Sequence, residues 1–64
     1  MRLNRTKIYL LLTKRYFTQA ALADAAGVSR QTLSAVLNGR NCRPELLGKI
    51  AKAFDVEPSE IIED

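Results

Sequence analysis

An all-α fold of five short helices is what this sequence predicts, and three observations predict it. Apolar residues recur at i, i+3 and i+4 instead of alternating. Two turn signals, Ala26-Gly27 and Asn38-Gly39, divide the middle of the chain. No run reads as a convincing strand, and there is no internal repeat or low-complexity segment. The length sets the scale. A chain of 64 residues buries roughly 60% of its unfolded surface, enough for one small core. A single domain over residues 1–64 is therefore expected. Apolar residues make up 47%, close to the globular average and far from a disordered composition.

Asn4 is a good N-cap, because its side-chain oxygen can accept from an orphan backbone N–H. Ile8, Leu11 and Leu12 then share one face, giving a first helix over about Arg5 to Lys14. Phe17 precedes the next cap, where a hydrophobic staple would lie. Thr18 caps a second, Ala-rich helix of about two turns, Gln19 to Ala26, with Leu22, Ala23 and Ala26 on its stripe. Gly27 can take the positive φ that ends it. Val28 fills the corner, and Ser29 caps a third helix, about Arg30 to Leu37, with Leu33, Val36 and Leu37 as its apolar stripe. Asn38-Gly39 ends that helix, and residues 40–43 form a basic loop. Pro44 suits the first turn of a fourth helix, about Pro44 to Phe54, which repeats Leu47, Ile50, Ala51 and Phe54. Glu57-Pro58-Ser59-Glu60 looks like a fifth helix start, with Ile61 and Ile62 as its apolar pair. The expected core is Ile8, Leu11, Leu22, Ala23, Val28, Leu33, Val36, Leu47, Ile50, Ala51, Phe54 and Ile61.

The charge is uneven. The net value is +3, but residues 1–43 carry eight Lys/Arg against one acid, Asp24, for +7. Residues 44–64 carry Lys49 and Lys52 against six acids, for −4. A basic part of this kind suits a polyanion, although chance clustering on a solvated surface produces the same sum. Other classes fall away. There is no His, and Cys42 stands alone. That removes a disulfide framework, a zinc finger and a Cys/His nucleophile pair. No close acid pair falls on one expected face, so an enzyme is not expected. Nor is a cofactor or metal. A redox role for Cys42 lacks a partner thiol or a tuning His. The apolar stretch Ile8 to Leu12 is five residues, against the roughly 20 of a membrane span. No signal-like segment follows Met1-Arg2, so a cytoplasmic location and no membrane partner are expected.

The second and third helices are the informative part. Two short helices joined by about four residues including Gly, with Leu22, Ala23, Val28, Leu33 and Val36 facing inward, match a helix-turn-helix. In that arrangement the second helix of the pair enters the DNA major groove. The run Thr18 to Gly39 holds Thr18-Gln19, Leu22-Ala23, Gly27-Val28-Ser29 and Asn38-Gly39, and Ile50-Ala51-Lys52-Ala53-Phe54 follows later. This joint pattern resembles the Cro/repressor-type, XRE-like helix-turn-helix family of phage, plasmid and bacterial operon regulators. The resemblance spans nearly the whole chain. It implies a compact five-helix, lambda-repressor-like DNA-binding domain, with the third helix reading sequence.

The resemblance also implies roles residue by residue. Gln19 matches a family Gln that touches phosphate, and a helix N-terminus suits an anion there; the plainer reading is an exposed first-turn Gln. Ser29, Arg30 and Gln31 occupy the entry of the reading helix. Arg can pair bidentately with guanine and Gln with adenine, whereas Ser29 can also serve as a cap alone. Thr32 and Ser34 are candidates for backbone contacts. Ala35 could meet a thymine methyl. Asn38, Arg40 and Arg43 follow in the loop that nears the phosphates in this family, and Asn38 also ends a helix. Glu45 departs from the pattern, because some relatives carry a basic residue near it. A carboxylate there argues against minor-groove readout. Lys14 and Arg15 suit either phosphate or the end of the first helix. Tyr9 and Tyr16 suit either base stacking or packing.

The expected function is therefore sequence-specific binding of double-stranded DNA by a transcriptional regulator, a repressor more than an activator. A homodimer on half-sites about 34 Å apart is expected, with Leu37, the region of the last two helices or Ile61-Ile62 as candidate dimer surfaces. No small-molecule effector is expected. The competing reading is an antitoxin-like or anti-regulator protein-interaction module that keeps the fold.

Overall fold

Side-chain caps set where the first three helices begin. Asn4 Oδ1 accepts from Lys7 N–H at 3.1 Å, Thr18 Oγ1 from Ala21 N–H at 3.0 Å, and Ser29 Oγ from Thr32 N–H at 3.1 Å. Each cap residue has extended backbone and each satisfies one orphan donor of its helix. In the computed structural model, which describes residues 1–63, the chain runs β1 (Arg2–Leu3), α1 (Arg5–Arg15), α2 (Gln19–Ala26), α3 (Arg30–Leu37) and α4 (Pro44–Phe54). A single 3-10 turn over Pro58–Glu60 and β2 (Ile62–Glu63) complete it. Asp64, one of the acids in the charge sum, lies outside the described residues.

The expected fifth helix is a correction. Pro58 and the Glu57 amide, which donates to the Glu60 carboxylate at 2.9 Å, do start a turn. It stops after one turn because the backbone finds other partners. Asn4 N–H donates to Ile61 C=O at 2.8 Å, and β2 pairs antiparallel with β1, Leu3 opposite Ile62 and Arg2 opposite Glu63. The β-branched Ile61-Ile62 pair suits this extended path better than a helix. The fold is thus four α-helices and one short two-stranded ladder among the described residues, and the absence of any strand is corrected with it.

One device recurs at every corner. An apolar residue sits just before each N-cap and another lies five positions later. The pairs are Leu3 and Ile8, Phe17 and Leu22, Val28 and Leu33, Cys42 and Leu47, and Val56 and Ile61. All ten belong to the core cluster or pack against it. This is the staple position, where an apolar contact fixes the angle at which the chain enters a helix. Only Phe17 was legible as one in advance.

The core holds ten of the expected residues fully buried, among them Ile8, Leu22, Leu33, Ile50, Phe54 and Ile61, each at 0% exposure. Leu11 and Val28 are half-buried at its edge. Leu3, Leu12, Ala26, Leu37 and Cys42 join it. Leu37 is 1% exposed and Ile61 0%, so neither can face a second subunit, and both drop out as dimer-surface candidates. Phe17 meets Phe54 with ring centroids 6.1 Å apart, tying the α1–α2 corner to the end of α4. Helix α2 packs on both α3 and α4, which leaves the outer face of α3 uncovered.

Candidate nucleic-acid interface

The exposed side of α3 is bordered by three shallow hollows, and Gln31 lines all of them. The first joins Gln19 of α2 to Arg30, Gln31 and Ser34 of α3. Another runs over Gln31, Ser34, Ala35, Asn38 and Arg40. The third is a groove between α3, the loop of residues 40–43 and α4. Arg40, Arg43 and Lys49 stand on it, with Thr32, Ala35 and Val28 on the α3 side and Glu45 and Leu46 on the α4 side. Eight of the nine expected site residues therefore line one continuous strip: Gln19, Arg30, Gln31, Thr32, Ser34, Asn38, Arg40 and Arg43. Ser29 stands at its entry as the cap of α3.

The local chemistry gives these side chains distinct freedoms. Ser29 Oγ accepts from the Thr32 amide and donates to Thr32 Oγ1 at 2.8 Å. Ser29 therefore starts the helix and holds the Thr32 hydroxyl beside its own. Asn38 Nδ2 donates to Ser34 Oγ at 3.4 Å, a long bond that leaves the Ser34 hydroxyl able to donate outward. Arg30, Gln31, Arg40 and Arg43 are exposed. Gln19 is half-buried in the first turn of α2.

Cys42 is placed by the core and not by the strip. It is 2% exposed, its amide donates to Met1 C=O at 2.7 Å, and its thiol donates weakly to Arg43 C=O at 3.6 Å. Burial pushes its ionisation above the ordinary value, against a smaller pull from the N-terminal ammonium. A buried thiol with a raised ionisation is a poor nucleophile. Its work is to anchor the loop between Arg40 and Arg43.

Two residues on the strip, Asn41 and Lys49, are absent from the expected site. Both line the α3–α4 groove, and so does Glu45, whose carboxylate argues against minor-groove readout. Glu45 and Lys49 are four apart on α4, the spacing that puts two side chains on one helix face, and that spacing was available in advance. Summing charge by chain segment had assigned Lys49 to the acidic part. The +7 and −4 segments are therefore not two clean surfaces: one acid of the second segment sits among the cations of the first. Tyr9 and Tyr16, 41% and 93% exposed, line none of the three hollows.

Among the described residues no group of three or more His, Cys, Asp or Glu is placed to hold a metal ion. No helix is long and apolar enough to cross a membrane. A helix-turn-helix family model matches residues 8–61. Among solved structures, native PhpD with cadmium is similar over 100% of this chain, at 31% identity and a TM-score of 0.84. The cadmium complex of PhpD with hydroethylphosphonate matches at 31% and 0.83, and a tyrosine-to-phenylalanine mutant of hydroxyethylphosphonate dioxygenase at 31% and 0.85. The chain spans only 14% of the length of each of those structures. No curated protein matches the chain.

Proposed function

Since the chain belongs to the helix-turn-helix family, we propose that it is a non-enzymatic, sequence-specific reader of double-stranded DNA that acts as a transcriptional repressor. One observation carries the reading: Gln31 lies at the centre of a single exposed strip that also holds Gln19, Arg30, Arg40 and Arg43. A helix with side chains is about 10–12 Å across, and the major groove is about 12 Å wide. Helix α3 enters that groove. Arg30 and Gln31 reach base edges there, and Gln19, Arg40 and Arg43 meet phosphates on either side. Phosphate contacts supply most of the affinity and the base contacts the specificity.

The molecule acts as a two-fold homodimer on DNA. Its longest extent is 25 Å between Cα atoms, less than the roughly 34 Å between successive major-groove faces on one side of the duplex. One copy reads one half-site. Selection of bound duplexes from a random pool at two salt concentrations tests the reading. A recurring, roughly palindromic motif that survives higher salt supports it. Enrichment of no motif, with binding abolished by modest salt, refutes it.

A second reading rests on a different observation. The PhpD and dioxygenase structures contain this fold as a small part of a longer chain. A helix-turn-helix unit of that kind can serve as a protein-packing module, in the manner of an antitoxin or anti-regulator. Pull-down of a stoichiometric protein partner, with no duplex shift at low salt, would favour it over the first reading.

A further inference from the structure

Helix α4 carries two lysines, and only one of them stands on the strip. Lys49 and Lys52 are both exposed and three residues apart. Lys49 lines the groove between α3, the loop of residues 40–43 and α4, together with Gln31, Arg40 and Arg43. Lys52 lines none of the three hollows. The groove thus takes cations from two separate elements, Arg40 and Arg43 from the loop and Lys49 from the helix. A helix lying in the major groove has a sugar-phosphate strand along each flank, and the segments beside it meet those strands. We propose that the α3–α4 groove seats one such strand, with Lys49 as the phosphate-binding residue that α4 contributes. The proposal rests on the DNA-reading function above.

The chemistry of the side chain suits the role. Lys ends in a compact point charge on a flexible four-carbon stem, which can follow a phosphate without reading a base. Glu45 stands one turn earlier on α4 and lines the same groove. Alone, its carboxylate would make the α4 side of the groove repel a phosphate. Lys49 brings that side to neutrality and leaves Arg40 and Arg43 as the net attraction. The plainer role of Lys49 is to balance Glu45 on a solvated helix face. That role acts on stability and gives a duplex no reason to distinguish Lys49 from Lys52, so the two accounts separate.

The test compares Lys49→Ala with Lys52→Ala, two exposed substitutions that remove the same charge from the same helix and keep its propensity. Each variant is titrated, beside the wild-type chain, against the selected duplex and one random-sequence duplex over a range of salt. Lys49→Ala is expected to weaken both duplexes alike, roughly 3–10-fold at about 0.1 M salt, and to lower the salt slope by about 0.9. Lys52→Ala leaves the slope close to wild type. Adding Glu45→Gln to Lys49→Ala recovers part of the loss on both duplexes. Equal effects of Lys49→Ala and Lys52→Ala overturn the proposal and leave the DNA reading intact, because the duplex then senses only net charge. A loss confined to the selected duplex overturns it too, and so does a double variant that binds no tighter than Lys49→Ala. A wild-type chain that selects no motif overturns both.

Discussion

Arg30 and Arg43 carry the same charge but reach the strip from different places. Arg30 is the first residue of α3, while Arg43 closes the loop and precedes Pro44. The proposed function gives them different signatures. Arg30→Ala should cost roughly 1–3 kcal/mol on the selected site and relax one base position. Arg43→Ala should weaken all duplexes alike and flatten the salt slope by about one unit. A quantitative binding titration on matched and random duplexes checks both, and an unchanged slope would remove Arg43 from the phosphate set. Cys42, one residue away, makes a different forecast. Burial raises its ionisation above the ordinary thiol value, so the folded chain holds that proton more tightly than the unfolded chain. The stability this confers is complete below the unfolded value and is lost as pH rises through the folded one. Thermal melts should be insensitive to this group below the ordinary thiol range and decline as pH rises through and above it. Cys42→Ala should decline less over the same range, and an equal decline would refute the assignment. The native thiol should also react slowly with thiol reagents. At this scale the candidate site was largely legible, because residue type and position after a cap are local facts. Lys49 and Asn41 were not, because their membership depends on how α4 and the loop pack beside α3.

At the scale of the element, the first three helices were legible because each begins with a cap that the sequence displays, and the fourth because Pro44 opens it. Bounds for α2, α3 and α4 agree with the expectation, and α1 ends one residue later, at Arg15. Tyr16 then takes the left-handed conformation with φ 57°, and Asp55 does the same after α4 with φ 58°. Non-glycine residues seldom adopt this region, so neither stop was marked in the sequence. The ladder was illegible for another reason. Two-residue strands are too short to show any period, and their partners lie at opposite ends of the chain. That ladder also holds the basic loop, because Cys42 N–H donates to Met1 C=O. Leu3, 2% exposed, is its apolar anchor. Leu3→Ala should cost about 2–4 kcal/mol, most of the roughly 3–5 kcal/mol that so small a core supplies. Urea unfolding measures it, and a loss below about 1 kcal/mol would show the ladder to be dispensable.

At the scale of the whole molecule, size decides how two copies can meet. With 25 Å as the longest Cα extent, two copies on the half-sites of the proposed function, about 34 Å apart, would touch only at their edges. Such contact buries far less than the roughly 1,200–2,000 Å² of a stable interface. The protein should therefore be monomeric in solution at micromolar concentration and dimeric on a two-half-site duplex. Sedimentation with and without that duplex checks this. A stable dimer without DNA would mean that a larger surface is shared. The stapled corners have a further consequence, in time and not in space. Each joins residues five positions apart, so the corners close with almost no search through chain conformations. The ladder joins Arg2 to Glu63 and must wait until everything between is in place. Local contacts of this kind give folding on the microsecond-to-millisecond scale. Leu3→Ala should then leave the folding rate nearly unchanged and put its whole effect on unfolding.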